Sequence, residues 1–548
     1  MPSQGFPSDQ HASEDEHESV GLSEVGSALR TLADEPEDRV RSEELIRLRS
    51  SVAETDLVMA AVAECPEALK VLAQAGPRVE LAQRPVQHVL LTTKTITTGG
   101  VSMVLLSQAR HLLGAGYRVT IVGKGPGSSH DLLPEGAEFV EMEGGDLPAR
   151  VGEWREICAS RSVDVIIDHQ TLYTKEWPAY ALMARALGIP TIGWVHNFAG
   201  RPLYDLSNLT SFLTDHLDSL AKVVTLSPLD AVYWKLRGVP HAVYLPNPAS
   251  PMIHDSSDVD IVKASPAGRR LELIWWGRLD EHTKQVRELI AVAAELKKLE
   301  VDFRLRVIGP EWKDLTPAKF KGEVRQRGLE NYVDVVGPLH GQELIDAVDA
   351  ADVFVSTSVI EGYQLTILEA QARGLPVVMY EMPWLLPVQG NRGIVSVPQA
   401  DSSAFARAVA ALHGSPERFS ELSAASLEAA RRIREFDFAE AYQQLIEDTL
   451  PETFSPEPTL EDAQELIDLL LFYVERHSGL RTRGARKRKG AAASQDVHSS
   501  PGRPLPRRVL AGVARRARPY ARLALSYAPA LKPAAHRLNY ELKRRIPR

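Results

Sequence analysis

The chain has 548 residues, 44% of them hydrophobic and 25% charged, and a formal net charge of −9. That length calls for roughly three domains with sizeable cores, while Cys65 and Cys158, alone and far apart, exclude a disulfide framework and a cysteine zinc site. The polar, acidic start argues against a secretory leader, and the longest apolar candidate, Leu466–Val474, is far too short for a bilayer span, so a cytoplasmic protein is expected.

Residues 1–20 are acidic and Ser-rich and read as disordered. Val25–Leu81 carries helical patterning, so residues 1–84 form an acidic, partly disordered helical extension. At Pro85 the texture changes. Val86–Leu91 reads as a buried strand, a loop ends in Gly99-Gly100, Val101–Leu113 is helical, and Arg118–Val122 is the next strand. Strand, Gly loop, helix and strand make a βαβ unit. Strands at Val163–Ile167, Thr191–Val195 and Val223–Leu226, with a helix at Ala179–Leu187, complete a domain over 85–247.

Residues 248–268 have linker composition, and Asp258-Val259-Asp260 within them reads as a solvated charge pair. The alternation then restarts over 269–430. Strands are expected at Leu271–Trp275, Phe303–Ile308, Val333–Val336, Val353–Ser356, Pro376–Met379 and Ile394–Val397. Helices at Gln285–Leu299, Gly341–Ala350, Thr366–Arg373 and Ser403–Leu412 connect them. The fold class is therefore α/β, with two doubly wound sheets facing one cleft, and ligands belong beyond the carboxyl ends of the strands. Helices over Pro416–Asp448 are expected to lie back over both domains, and Thr459–Arg476 adds an amphipathic helix in the 431–480 segment. Residues 481–548 carry about +17, against about −9 for 1–84 and about −17 for 85–480. Such a tail calls for an anionic partner. Without regularly interleaved aromatics, nucleic acid is the weaker choice beside an anionic polymer or a membrane surface.

The chemistry is written most densely in VFVSTSVIEGYQLTILEAQARGLPVV, residues 353–378. A strand leads into a loop with Glu361-Gly362, then a helix carrying Glu369, then a return strand. Backbone N–H groups of Gly362, Tyr363, Gln364 and Leu365, with Thr366 at the helix start, suit anionic oxygens. Glu361 and Glu369 are eight residues apart, so at roughly 100° per residue they fall on related faces and can hold two parts of one polyhydroxylated ligand.

This segment resembles the signature of retaining glycosyltransferases of family 4, which have the GT-B fold of two Rossmann-like domains. The resemblance runs over roughly residues 86–447. It implies that Glu361 lies beside the donor sugar, that Glu369 hydrogen-bonds the ribose, and that the amides of 362–365 touch sugar and diphosphate. In WWGRLDEHTKQVRELI, residues 275–290, a strand ends at Gly277, and Arg278 and Lys284 offer cations for a diphosphate leaving group. The resemblance assigns both to that task, although the connection before Lys284 is longer than the family pattern. It also brings Gly99 and Gly100 close to donor or acceptor, a use that small residues permit, and puts the uracil near Gly337-Pro338-Leu339. His196, after a strand end in GIPTIGWVHNFAG, suits a hydrogen bond to a sugar hydroxyl or the departing oxygen, and the family that the chain resembles often has a histidine there, near the donor sugar. His169 ends the preceding strand. Leu245-Pro246-Asn247-Pro248 matches the family's motif before the linker.

No Asp-x-Asp stands at a strand end, and Gly123–Gly127 lacks a P-loop's Lys-Ser/Thr ending, so no tightly bound metal and no cofactor beyond a nucleoside-diphosphate sugar co-substrate is expected. The implied reaction is retaining transfer of a hexose or N-acetylhexosamine to a hydroxyl of a glycan, polyol-phosphate or lipid-linked acceptor. The segment VVMYEMPWLLPV is similar to one in glycosyltransferases of teichoic-acid-type polymers, which with the tail points to the inner membrane face. A nucleotide-sugar epimerase, a phosphorylase, or a non-catalytic scaffold on the same fold are the alternatives.

Overall fold

The computed structural model describes residues 22–475 apart from 36–37, 77, 98, 172, 206, 208, 249 and 251–260. The acidic start at 1–20, Asp258-Val259-Asp260 and the basic tail at 481–548 lie outside the described residues.

Four helices open the chain: α1 (Leu22–Asp34), α2 (Asp38–Ser51), α3 (Glu54–Glu64) and α4 (Ala68–Ala75). The first α/β domain follows: β1 (His88–Thr92), α5 (Gly100–Gly114), β2 (Arg118–Gly123), β3 (Ala137–Glu141), α6 (Leu147–Ser160), β4 (Val165–Asp168), α7 (Trp177–Ala186), β5 (Thr191–Trp194), α8 (Arg201–Tyr204), α9 (Leu209–His216), β6 (Lys222–Thr225), α10 (Pro228–Leu236) and β7 (Ala242–Tyr244). The second contains β8 (Leu271–Trp276), α11 (Glu288–Lys298), β9 (Phe303–Ile308), α12 (Pro317–Gln326), β10 (Val333–Gly337), α13 (Gly341–Asp349), β11 (Val353–Ser356), α14 (Leu365–Ala372), β12 (Val377–Tyr380), β13 (Ile394–Val397) and α15 (Ser402–His413). The helices α16 (Pro416–Arg434), α17 (Phe438–Ile446) and α18 (460–475) close the described chain.

Both sheets are wholly parallel, in the orders β3-β2-β1-β4-β5-β6-β7 and β10-β9-β8-β11-β12-β13. Central strands such as β1, β4 and β11 are buried along their whole length, as a sheet covered on both faces requires. Two edge strands, β3 and β7, escaped the sequence reading. In β3, Glu138 and Glu141 interrupt the apolar run and no residue is fully buried, while β7 is three residues long.

The amino-terminal helices do not stand apart from the first domain. Leu57, Val58, Ala61 and Leu72 share one buried cluster with Val151, Trp154, Leu182 and Met183 of α6 and α7. Arg185, buried at the end of α7, donates to the carbonyls of Leu72 and Ala73 and so satisfies the last turn of α4. Burial pulls its pKa down to about 10, against the pull of Glu54 at 3.8 Å. The boundary expected at residue 84 therefore divides a single core. Leu57→Ala and Leu72→Ala, at 0% exposure, are each expected to cost about 2–5 kcal/mol. Denaturant unfolding measures this, and an unchanged midpoint would show that the extension is not structural.

The carboxyl-terminal helices tie the two domains together. α16 lies against α14 and α15, so the boundary expected at 430 falls inside a helix. The chain then crosses back. Phe438, Tyr442 and Leu445 of α17 bury among Leu91, Leu105 and Trp194 of the first domain. On α18, Leu466, Leu469 and Tyr473 pack with Trp384 of the second domain and Phe198 and Tyr204 of the first, and the Tyr473 hydroxyl donates to Val359 O at 3.2 Å. No described helix is long and apolar enough to cross a membrane.

Candidate active site

In each sheet the strand order reverses beside the first strand, between β1 and β4 and between β8 and β11. The loops leaving the carboxyl ends there form the crevice where such folds bind ligands. All four charged groups singled out in the sequence belong to these loops or the helix beyond them. Lys284 Nζ donates to Glu361 Oε1 at 2.8 Å, and both side chains keep about one-sixth of their surface, 15% and 16%. Ser358 Oγ donates to the same carboxylate oxygen at 2.7 Å, and Trp384 Nε1 holds the Glu361 carbonyl at 3.1 Å.

Glu369 lies on the buried side of α14. Burial raises its carboxyl pKa, opposed by hydrogen bonds from Trp276 Nε1 (3.1 Å) and the Ser250 hydroxyl and by the charge of Lys284. Lys284 thus acts on both glutamates. It precedes α11 in a tight turn, where Gln285 adopts φ +47°, and is not in the helix itself.

Arg278 is exposed and stacks its guanidinium 4.1 Å from the centre of the Trp312 ring. Gly277, before it, is crossed closely by Gly309, whose Cβ, if it had one, would meet Gly277 O at 1.7 Å. Leu339 is partly buried just after Gly337, which turns with φ +93°.

The loop carrying Glu361 and Gly362 presses against the first domain. A Cβ on Gly362 would sit 2.5 Å from His196 O and 2.9 Å from Asn197 Cα. Leu365 faces Gly100 across the gap, with 3.5 Å from its Cδ1 to the place a Cβ would occupy. Gly99 takes φ −75°, so neither residue of the double-glycine loop stands in a left-handed conformation. Two residues expected to bind donor turn their side chains away. The Tyr363 ring is buried in the first domain's core, with its pKa raised by that burial. Gln364 Nε2 is spent on Ser356 Oγ at 2.7 Å. Gln364 Oε1 and the Tyr363 hydroxyl are buried without a hydrogen-bond partner among the described residues, whereas Thr366 remains half-buried at the helix start.

His196 is one end of a buried relay. Its Nε2 lies 2.8 Å from His169 Nδ1, and His169 Nε2 lies 2.8 Å from Gln108 Oε1. With Gln108 Oε1 accepting, His169 carries its proton on Nε2 and accepts from His196 Nε2–H, so His196 Nδ1 is left as an acceptor. Burial holds both rings neutral, His196 with its pKa down to about 3 and His169 well below the usual range, aided by its neighbour.

One family model, described as Glycosyltransferase Family 4, matches residues 98–251, and another, Glycosyl transferases group 1, matches 270–415. They fall on opposite sides of the cleft. The chain belongs to glycosyltransferase family 4, with the GT-B fold. A D-inositol 3-phosphate glycosyltransferase of Corynebacterium aurimucosum is 37% identical over 93 residues, 16% of this chain and 22% of the relative. D-inositol 3-phosphate glycosyltransferase 2 of Catenulispora acidiphila is 31% identical over 168 residues, 29% of this chain and 39% of the relative. The chain thus matches well under half the length of these relatives. Among solved structures, Anabaena Alr3699/HepE in complex with UDP-glucose superposes over 66% of this chain and 98% of its own, with TM-score 0.52 and 15% identity. TarM covers 67% and 99%, with TM-score 0.52 and 10% identity.

Several partners in this family 4 chain were not singled out from sequence: Trp276, Ser250, Ser358, Trp312 and Gln108. Trp276 and Ser358 stand within the quoted motifs, but an indole or hydroxyl beside a carboxylate leaves no periodic signal. Gln108 and Trp312 reach the site only through the fold.

The relay gives the family 4 chain a pH signature. Both imidazoles bind a proton near pH 6.5 when unfolded but not when folded, so the unfolded chain takes up more protons below that pH. Their stabilisation is present above 6.5 and is lost as pH falls toward about 3. His169→Phe removes one such group. Between pH 6.5 and 5 wild type is expected to lose about 1 kcal/mol per pH unit more than the variant. Parallel stability–pH curves would show the relay is not neutral in the folded state.

Proposed function

We propose that the chain is a retaining glycosyltransferase that moves a hexose or N-acetylhexosamine from a UDP-sugar to a hydroxyl of a polyol-phosphate, glycan or lipid-linked acceptor. The observation that carries this reading is Lys284 between Glu361 and Glu369 in an interdomain cleft. In it, Glu361 orients the donor sugar and Glu369 holds the ribose hydroxyls. Arg278, Lys284 and the amides of 362–365 neutralise charge building on the diphosphate. The base rests near Gly337 and Leu339, and His196 Nδ1 accepts from a sugar hydroxyl.

The bond from the anomeric carbon to the diphosphate oxygen breaks as the acceptor oxygen bonds the same face of that carbon. The acceptor's proton passes to an oxygen of the leaving phosphate, so no protein base is required. The names of the relatives support a polyol-phosphate acceptor. The basic residues 481–548 support work at an anionic inner membrane surface.

UDP-sugars are to be screened for protection against thermal unfolding, and the best binder assayed for transfer in excess EDTA with product anomer analysis. Protection and EDTA-resistant, retaining transfer are expected. No protection by any UDP-sugar, or UDP release that requires inorganic phosphate, would sink the reading. Liposome flotation with and without residues 481–548 checks the surface: equal binding would remove it.

A further inference from the structure

Tyr173 stands out on the first domain's wall of the cleft. At 51% exposure it is the one exposed aromatic side chain among the described residues. Its phenol oxygen accepts from Asn197 Nδ2 at 3.3 Å, beside His196, and feels the charges of Arg201, Arg278 and Glu361. It therefore faces the donor site from across the cleft, and the mechanism above gives it no task.

Arg201, at the start of α8, is equally unassigned. Its Nε donates to Asp205 Oδ2 at 2.8 Å, while its two terminal nitrogens have no partner among the described residues. The other Asp205 oxygen takes His282 Nε2 of the second domain at 2.6 Å, which fixes the carboxylate and through it the arginine. An exposed aromatic face near a guanidinium with free donors offers a ligand both an apolar platform and hydrogen bonds. A planar ring suits the flat, polyhydroxylated face of a polyol or sugar, and a guanidinium fork suits a phosphate.

We propose that Tyr173 and Arg201 form the acceptor subsite, Tyr173 carrying a polyhydroxylated ring or chain and Arg201 a phosphate attached to it. The proposal rests on the donor reading above and deepens it. The phenol, its oxygen already accepting from Asn197, donates its own O–H to the acceptor, and Arg201 sets the acceptor's phosphate away from the diphosphate held by Arg278 and Lys284. The phosphate belongs either to a small phosphomonoester or to a repeating phosphodiester polymer.

Transfer from the protecting UDP-sugar is measured with matched pairs, inositol and D-inositol 3-phosphate, glycerol and glycerol 3-phosphate, and with poly(glycerol phosphate). At least one phosphorylated acceptor is expected to exceed its neutral partner by about tenfold in kcat/KM, the effect of one charged hydrogen bond. Preference for a monomer or for the polymer identifies the source. Arg201→Met is expected to raise the KM of the phosphorylated acceptor about tenfold and leave that of the neutral one, with Arg201→Lys recovering part. Tyr173→Ala raises both. UDP-sugar protection stays unchanged in all three variants, which shows that they fold. Equal use of neutral and phosphorylated acceptors, absence of transfer to any phosphorylated acceptor, or an Arg201→Met enzyme with wild-type acceptor KM overturns the proposal. Loss of UDP-sugar protection in wild type would instead overturn the donor reading.

Discussion

Lys284→Met is expected to lower kcat by two to three orders of magnitude, roughly the cost of removing one preorganised donor from a developing oxyanion. It is also expected to destabilise the free protein, because it strands the Glu361 carboxylate, only 16% exposed, with the Ser358 hydroxyl as its remaining side-chain donor. Removing one member of a buried pair costs about 3–5 kcal/mol. Residual solvent around both groups brings the expectation here to roughly 1–3 kcal/mol. Glu361→Gln alone should collapse turnover with the fold intact. The double variant should recover part of the stability lost in Lys284→Met, since Glu361 no longer carries an unpaired charge while Glu369 still lacks the cation that opposed its burial, and none of the activity. Denaturant unfolding and single-turnover transfer on the four proteins close the cycle. A double variant no more stable than Lys284→Met would deny the coupling, and wild-type turnover in Lys284→Met would remove the cation from the reaction.

The sequence shows most of the architecture and part of the site. Buried central strands announce themselves as short apolar runs, so Phe303–Ile308 and Val353–Ser356 coincide with the observed strands. The edge strands β3 and β7 do not, because acidic residues interrupt the first and the second is three residues long. The edge strand Ile394–Val397, by contrast, is apolar enough to be read although it is only partly buried. Glu361, Glu369, Arg278 and Lys284 could be named from sequence because they stand in motifs that resemble the family signature. Whether a side chain points into the cleft is decided by packing. Tyr363 and Gln364 fill the core and a hydroxyl pocket, while Tyr173, in an unremarked loop, feels the charges of Arg201 at the start of α8 and of Arg278 and Glu361. Spacing within one loop carries no record of the opposite wall.

Gly362 shows the same point at the level of one hydrogen atom. Gly99 and Gly100 look like the glycines the site needs, yet a Cβ on Gly99 would meet only Thr97 Oγ1 at 3.4 Å, and one on Gly100 only Leu365 Cδ1 at 3.5 Å. Gly362 has no such room. Its missing Cβ would lie 2.5 Å from His196 O, and the obstacle is backbone, which cannot rotate aside. Tyr363, anchored in the first domain's core, keeps the loop from swinging away as a unit. Gly362→Ala must therefore shift Glu361 and the following amides relative to His196, a displacement of the order of 1 Å, which costs about a hundredfold in rate. Glu369 and Arg278, the second-domain groups proposed to hold the nucleotide, lie outside the displaced segment, so UDP affinity is expected to change far less than kcat. Gly99→Ala is expected to stay within a few-fold of wild type. Titration calorimetry with UDP alongside transfer kinetics separates the two effects. An active Gly362→Ala enzyme would mean that the two domains do not meet at this loop during catalysis, and an inactive Gly99→Ala enzyme would mean that the ligand itself fills the space beside the double glycine.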